Sequence, residues 1–80
     1  MDPKELMTAN KVVGTKETLR MVEKHLCKIV FIANDASMEI VRPLIAACEK
    51  NGIPVEFVES MRDLGESCGI KVAAASAGLL

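Results

Sequence analysis

Apolar positions along this chain fall into two alternating kinds of run, some spaced for helices and some continuous as in covered strands. From Thr15 the residues Leu19, Val22 and Leu26 recur at three- and four-residue intervals, with Lys16, Arg20, Glu23 and Lys24 between them. That spacing predicts an amphipathic helix over Thr15–His25. Lys28-Ile29-Val30-Phe31-Ile32-Ala33 follows without alternation, as expected of a central strand covered on both faces. Ser37 then stands where a helix cap belongs, ahead of Ile40, Val41, Leu44, Ile45 and Cys48. Pro43 lacks an amide donor and disfavours helical geometry in the residue before it, so a single turn up to Arg42 and a main helix from Pro43, or a kink there, is expected. Asn51-Gly52 ends that helix. Pro54–Val58 reads as a further strand, and Ser60, with Asp63 three residues on, opens a short helix that closes at Gly69. At the ends of the chain, Asp2–Ala9 predicts two helical turns with Asp2 capping and Pro3 first, Lys11–Val13 an edge strand, and Ile70–Gly78 a final strand. Strands alternating with helices predict an α/β fold, a three-layer α-β-α sandwich with a mixed sheet of about four strands.

Eighty residues, half of them apolar, leave room for one compact domain over 1–80 and no second core. Ten Lys and Arg against eleven Asp and Glu give a net charge of -1, so no overall basic field gathers polyanions and any nucleic-acid site must be local. Phe31 and Phe57, the two aromatic residues, lie in apolar runs and are expected in the core, which argues against a stacking platform for single-stranded bases. Cys27, Cys48 and Cys68 are odd in number and sit inside apolar segments, the usage of a reducing, cytoplasmic setting. No run is long enough to span a membrane and the amino end lacks a signal pattern, so neither insertion nor export is expected.

Reaction chemistry is poorly supported. His25 closes a helix and has only Cys27 near it in sequence, too little for a nucleophile and its base. The cysteines are about twenty residues apart, unlike a zinc site, and no phosphate-loop fingerprint is present. No metal, cofactor or enzymatic activity is expected. Gly14-Thr15-Lys16-Glu17 is more informative, because a helix amino terminus presents backbone donors, a lysine and a carboxylate together. By itself this is also an ordinary helix start, with Thr15 as cap. Gly69-Ile70-Lys71-Val72 read alone is equally a helix stop, and Asn34-Asp35 a turn.

In combination these segments closely resemble the RNA kink-turn-binding ribosomal proteins, the L-seven-Ae and L-thirty-e-like group, and most of all its small bacterial members. The likeness runs through Val13-Gly14-Thr15-Lys16-Glu17-Thr18, Ile32-Ala33-Asn34-Asp35-Ala36, Asn51-Gly52-Ile53-Pro54-Val55 and Ser60 to Ile70, nearly the whole chain. It implies the sandwich already inferred and a partner: structured RNA, ribosomal or regulatory, sharply bent and carrying tandem sheared G·A pairs. Neither DNA nor a membrane is implied, while ribosomal or ribonucleoprotein partners are.

By position, the resemblance implies that Gly14 and Thr15 approach the RNA backbone and that Lys16 and Glu17 meet the guanine edges of the G·A pairs. Arg20 reaches guanine or phosphate, and Asp35 and Ser37 orient RNA-facing side chains or touch the bulged strand. Ile70, Lys71 and Val72 cover a flipped-out nucleotide, with Ile70 and Val72 as an apolar lid. Two departures stand out. Lys16 occupies a position where some members carry asparagine, which replaces an amide's donor and acceptor with a point charge. Across Lys11–Arg20, Asn34–Ser37 and Glu59–Val72, five cations (Lys11, Lys16, Arg20, Arg62, Lys71) face five anions (Glu17, Asp35, Glu59, Asp63, Glu66). On so neutral a surface RNA binding is expected to be weak or to depend strongly on salt. The competing expectation is a protein-interaction module on the same scaffold, using the acidic set Glu39, Glu49, Glu56 and Glu59.

Overall fold

The computed structural model describes residues 10–80, so the helix expected over Asp2–Ala9 lies outside the described residues. Seven elements follow: β1 (Lys11–Val13), α1 (Thr15–Glu23), β2 (Ile29–Ala33), α2 (Met38–Asn51), β3 (Val55–Val58), α3 (Met61–Ser67) and β4 (Ser76–Leu79). The strands form one mixed sheet in the order β1-β4-β2-β3, with β2 and β3 parallel and β4 antiparallel to both β1 and β2. The last strand of the chain is thus inserted between the first and second. Parallel β2 and β3 require a crossover, and α2 supplies it.

Both faces of the sheet are covered. Val12, Gly78, Val30 and Val55 stand in one row across the strands. A Cβ on Gly78 would come 2.7 Å from Cys27 Sγ and 3.0 Å from Thr18 Cγ2, so this row faces α1, and glycine is what lets the helix lie so close. The next row, Val13, Ala77, Phe31 and Glu56, faces the other way because side chains alternate along a strand. Val30 and Phe31 are both fully buried, which explains the unbroken apolar run of β2. Helices α1 and α2 pack on each other, and α3 packs on β2, β3 and β4. The result is the mixed four-stranded α/β sandwich read from the sequence.

Several expectations need correction. Helix α1 stops at Glu23, not His25, because His25 enters the left-handed region at φ 60°. Its amide bonds the Val22 carbonyl and the Leu26 amide bonds that of Met21, which closes the helix. Helix α2 runs unbroken from Met38 through Pro43 to Asn51. Proline removes one hydrogen bond from the second turn, and the burial of Val41, Leu44 and Cys48 on either side of it holds the helix together. The final strand is only Ser76–Leu79, since Ile70–Ala75 forms a loop. Phe57 is not a core residue. It lies on β3, one of the two outer strands, and is 57% exposed.

Candidate nucleic-acid interface

The strand directions gather four distant segments at one end of the sheet. The carboxyl ends of β1, β2 and β3 and the amino end of β4 lie together there, so residues 14–17, 34–37, 59–62 and 70–75 all emerge at the same edge. Backbone hydrogen bonds stitch them: Gly14 N–H to Ser76 O at 2.8 Å, Ala33 N–H to Ala75 O at 2.9 Å, Asn34 N–H to Val58 O at 2.7 Å and Ala74 N–H to Met61 O at 3.0 Å.

At the start of α1, Gly14 and not Thr15 is the N-cap, with φ 102° and no side-chain cap bond. A left-handed residue is required at this corner, and glycine adopts it without strain. Thr15 Oγ1 is instead 2.6 Å from Ser76 Oγ, which ties the helix start to β4. Thr18 Oγ1 donates to Gly14 O at 2.7 Å. Lys16, Glu17 and Arg20 remain exposed, and Arg20 Nη1 lies 3.5 Å from Glu17 Oε1. The Glu17 carboxylate is therefore held toward the second turn of α1, beside the positive end of the helix dipole.

Asp35 is exposed and bonds a neighbouring segment. Its Oδ1 accepts from the Met61 N–H at 2.7 Å, satisfying one of the orphan donors at the start of α3. Ser60 Oγ accepts a second, from Asp63 N–H at 3.0 Å, as the sequence predicts. Ser37 is the N-cap residue of α2 and is exposed, but its side chain makes no cap bond.

Beyond α3 the chain turns at Gly69, φ 77°, and loops back over its own helix. A Cβ on Gly65 would run into the Val72 carbonyl oxygen, far inside van der Waals contact, so the loop rests on a glycine notch in α3. Between helix and loop is a hollow of about 360 Å³ lined by Arg62, Glu66, Ile70, Lys71, Val72 and Ala73. Arg62 Nε lies 3.4 Å from Glu66 Oε1 across its rim. All ten expected site residues thus lie on or beside one edge of the sheet: Gly14, Thr15, Lys16, Glu17 and Arg20 on the α1 corner, Asp35 and Ser37 beside it, and Ile70, Lys71 and Val72 in the loop.

Sequence reasoning missed Ser76 and Gly65, and it counted Arg62 and Glu66 on the surface without pairing them at a rim. A glycine in mid-helix and an i,i+4 charge pair signal Gly65 and that rim, whereas Ser76 is buried by a strand order that no local pattern reveals. The cysteines are free and buried. Burial pushes the thiols of Cys27 and Cys68 up, and that of Cys48 to about 11, so all three are protonated at neutral pH and poorly suited to nucleophilic attack. Among the described residues no group of three or more His, Cys, Asp or Glu is placed to hold a metal, and no helix is long and apolar enough to cross a membrane.

The family model for the ribosomal protein L7Ae/L30e/S12e/Gadd45 family matches residues 2–79. An RNA-binding protein of Caldanaerobacter subterraneus is 44% identical over 69 residues, covering 84% of this chain and 82% of that protein. One from Geobacillus thermodenitrificans is 35% identical over 77 residues, covering 96% and 94%. Among solved structures, the Giardia lamblia 15.5kD RNA binding protein superposes with a TM-score of 0.87 at 34% identity, covering 96% of this chain and 66% of its own length.

Proposed function

The chain belongs to the ribosomal protein L7Ae/L30e/S12e/Gadd45 family, and from that premise and the geometry of its sheet edge we propose that it binds structured RNA at kink-turns with tandem sheared G·A pairs. The observation that carries this reading is the joining of the Gly14–Arg20 corner, through Gly14 and Thr15, to Ser76 at the start of β4, where the 70–75 loop ends. Segments more than fifty residues apart in sequence thereby present one continuous edge to one ligand.

In this reading residues 1–80 act as a single RNA-binding domain. Gly14 and Thr15 bring the backbone close to the bend in the RNA, where a side chain on residue 14 would be strained. Glu17 accepts from guanine N–H groups and Lys16 donates to guanine O6 or N7. Arg20 lies beside the Glu17 carboxylate before RNA arrives and then turns to guanine or phosphate. Asp35 and Ser37 serve the bulged-strand side, Asp35 through its bond to the start of α3. Ile70, Lys71 and Val72 cover the extruded nucleotide. The protein binds without catalysis, in the cytoplasm, as part of a ribosomal or other ribonucleoprotein assembly.

The test is titration of the protein into a doubly labelled kink-turn RNA, and into the same RNA with its G·A pairs replaced by Watson–Crick pairs, at low and physiological salt. Energy transfer should report bending of the first RNA only. Equal binding to both would overturn the kink-turn reading, and binding to neither at low salt would overturn RNA binding itself and favour a protein partner at the acidic surface.

A further inference from the structure

We propose that the hollow between α3 and the 70–73 loop reads the base it takes, and that it selects guanine through Glu66. This rests on the RNA reading above and goes beyond it by naming the base. The hollow, at about 360 Å³, is at the small end of ligand-binding pockets, which run from roughly 300 Å³ upward. One wall is apolar, Ile70, Val72 and Ala73, and suits the face of a planar ring. The lining also includes Arg62 and Glu66, one helical turn apart on α3, and Lys71 on the loop.

The rim chemistry separates the four bases. A carboxylate offers two acceptor oxygens and no donor. Guanine alone presents two adjacent donors, N1–H and N2–H, which one carboxylate can take together, and beside them O6, an acceptor for Arg62 or Lys71. Uracil offers one donor, N3–H, between two acceptors that a carboxylate repels. Adenine and cytosine each set an exocyclic amine next to a ring acceptor. A phosphate would gain from Arg62 and Lys71 but meet the Glu66 charge, so the rim favours a base edge over the backbone.

The rim is free to reorganise and the wall is not. Arg62 and Glu66 have side chains 86% and 65% exposed, and an ion pair so exposed is worth little, so opening it for a ligand is easy. The loop, by contrast, is held by the Gly65 notch and by Ala74 N–H to Met61 O, while Met61 N–H is held by Asp35. A fixed apolar wall with a movable donor–acceptor rim is a recognition geometry for a base taken out of its stack.

The experiment uses one kink-turn RNA carrying guanosine, inosine, uridine, adenosine or an abasic residue at the extruded position. Inosine keeps N1–H and O6 and lacks the N2 amine. The wild-type protein should bind the guanosine RNA about tenfold tighter than the inosine or uridine forms, the discrimination one paired contact supplies. Glu66→Gln, on the exposed face of α3, should bind all base-bearing forms within about twofold of one another. Equal affinity of the wild type for guanosine, inosine and uridine would overturn the inference while leaving the RNA reading intact. Retention of the guanosine preference by Glu66→Gln would overturn it too. Absence of binding to every form would overturn the RNA reading, and this inference with it.

Discussion

Glu17 and Lys24 lie on the same helix and differ in what surrounds them, which makes them a matched pair for testing the interface. Glu17 sits in the first turn of α1, with Arg20 at 3.5 Å and the 70–75 loop tied to the same corner through Ser76, whereas Lys24 caps the far end of the helix. Glu17→Ala should weaken kink-turn binding by about 1–3 kcal/mol, the value of a base-edge contact, and Lys24→Ala by much less. Similar losses from the two in the same titration would count against a base contact by Glu17. The far end of α1 carries a separate, purely conformational effect. His25 occupies the left-handed position that closes the helix, at φ 60°, and its side chain is exposed. Substituting glycine removes the clash between Cβ and backbone at that angle, so His25→Gly should raise unfolding stability by about 1 kcal/mol in urea.

All three described helices end by one device. After α1, α2 and α3 a residue with positive φ, His25, Gly52 or Gly69, turns the chain, and the following amide returns to a carbonyl one turn back: Leu26 to Met21, Ile53 to Cys48, Ile70 to Gly65. Two of these stops are legible as glycines; the histidine is not, and for that reason α1 is two residues shorter than its periodicity suggests. Pro43 misleads in the opposite direction. Its missing donor affects a single hydrogen bond of α2, and burial of Val41, Leu44 and Cys48 outweighs that loss. Pro43→Ala, at an exposed position, should restore the bond to Glu39 O and stabilise the protein by about 1 kcal/mol or more, read as a higher urea midpoint with an unchanged slope. Thus β2, the span of α2 and the Ser60 cap can be read from local pattern, and so can a helix start at Gly14–Glu17, though not its cap, because Thr15 bonds Ser76 instead. The placement of β4 between β1 and β2, and the exposure of Phe57 that follows from β3 being an outer strand, depend on pairings across the whole chain. The alanine-rich run 73–75 looks strand-like in isolation, yet it forms part of a loop held by Gly65, Met61 and Ala33.

At the scale of the molecule two global variables, pH and salt, report on the interior and the interface respectively. Burial raises the Cys48 thiol from 9.0 to about 11, and raises Cys27 and Cys68 as well. A raised thiol pKa leaves stability intact below pH 9, where both states hold the proton, and costs stability above it, where only the unfolded chain releases it. Urea midpoints should therefore fall between pH 9 and 11, by on the order of 2 kcal/mol from Cys48 alone, and the fall should shrink in Cys48→Ala. Salt tests the interface. Arg20 is 3.5 Å from Glu17 and Arg62 is 3.4 Å from Glu66, so among the described residues of this edge Lys16 and Lys71 are the cations left without an ion pair there. Each phosphate neutralised adds roughly 0.9 to the slope of log affinity against log salt. With Lys16 and Lys71 on base edges, Arg20 is the cation of this edge that turns to phosphate, so the slope should be about -1 between 50 and 200 mM salt and Arg20→Ala should bring it toward zero. A much steeper slope would mean that Lys16 and Lys71 meet phosphates rather than base edges. A shallow one would mean that the ion pairs persist and that affinity comes from the shape of the edge and its base contacts.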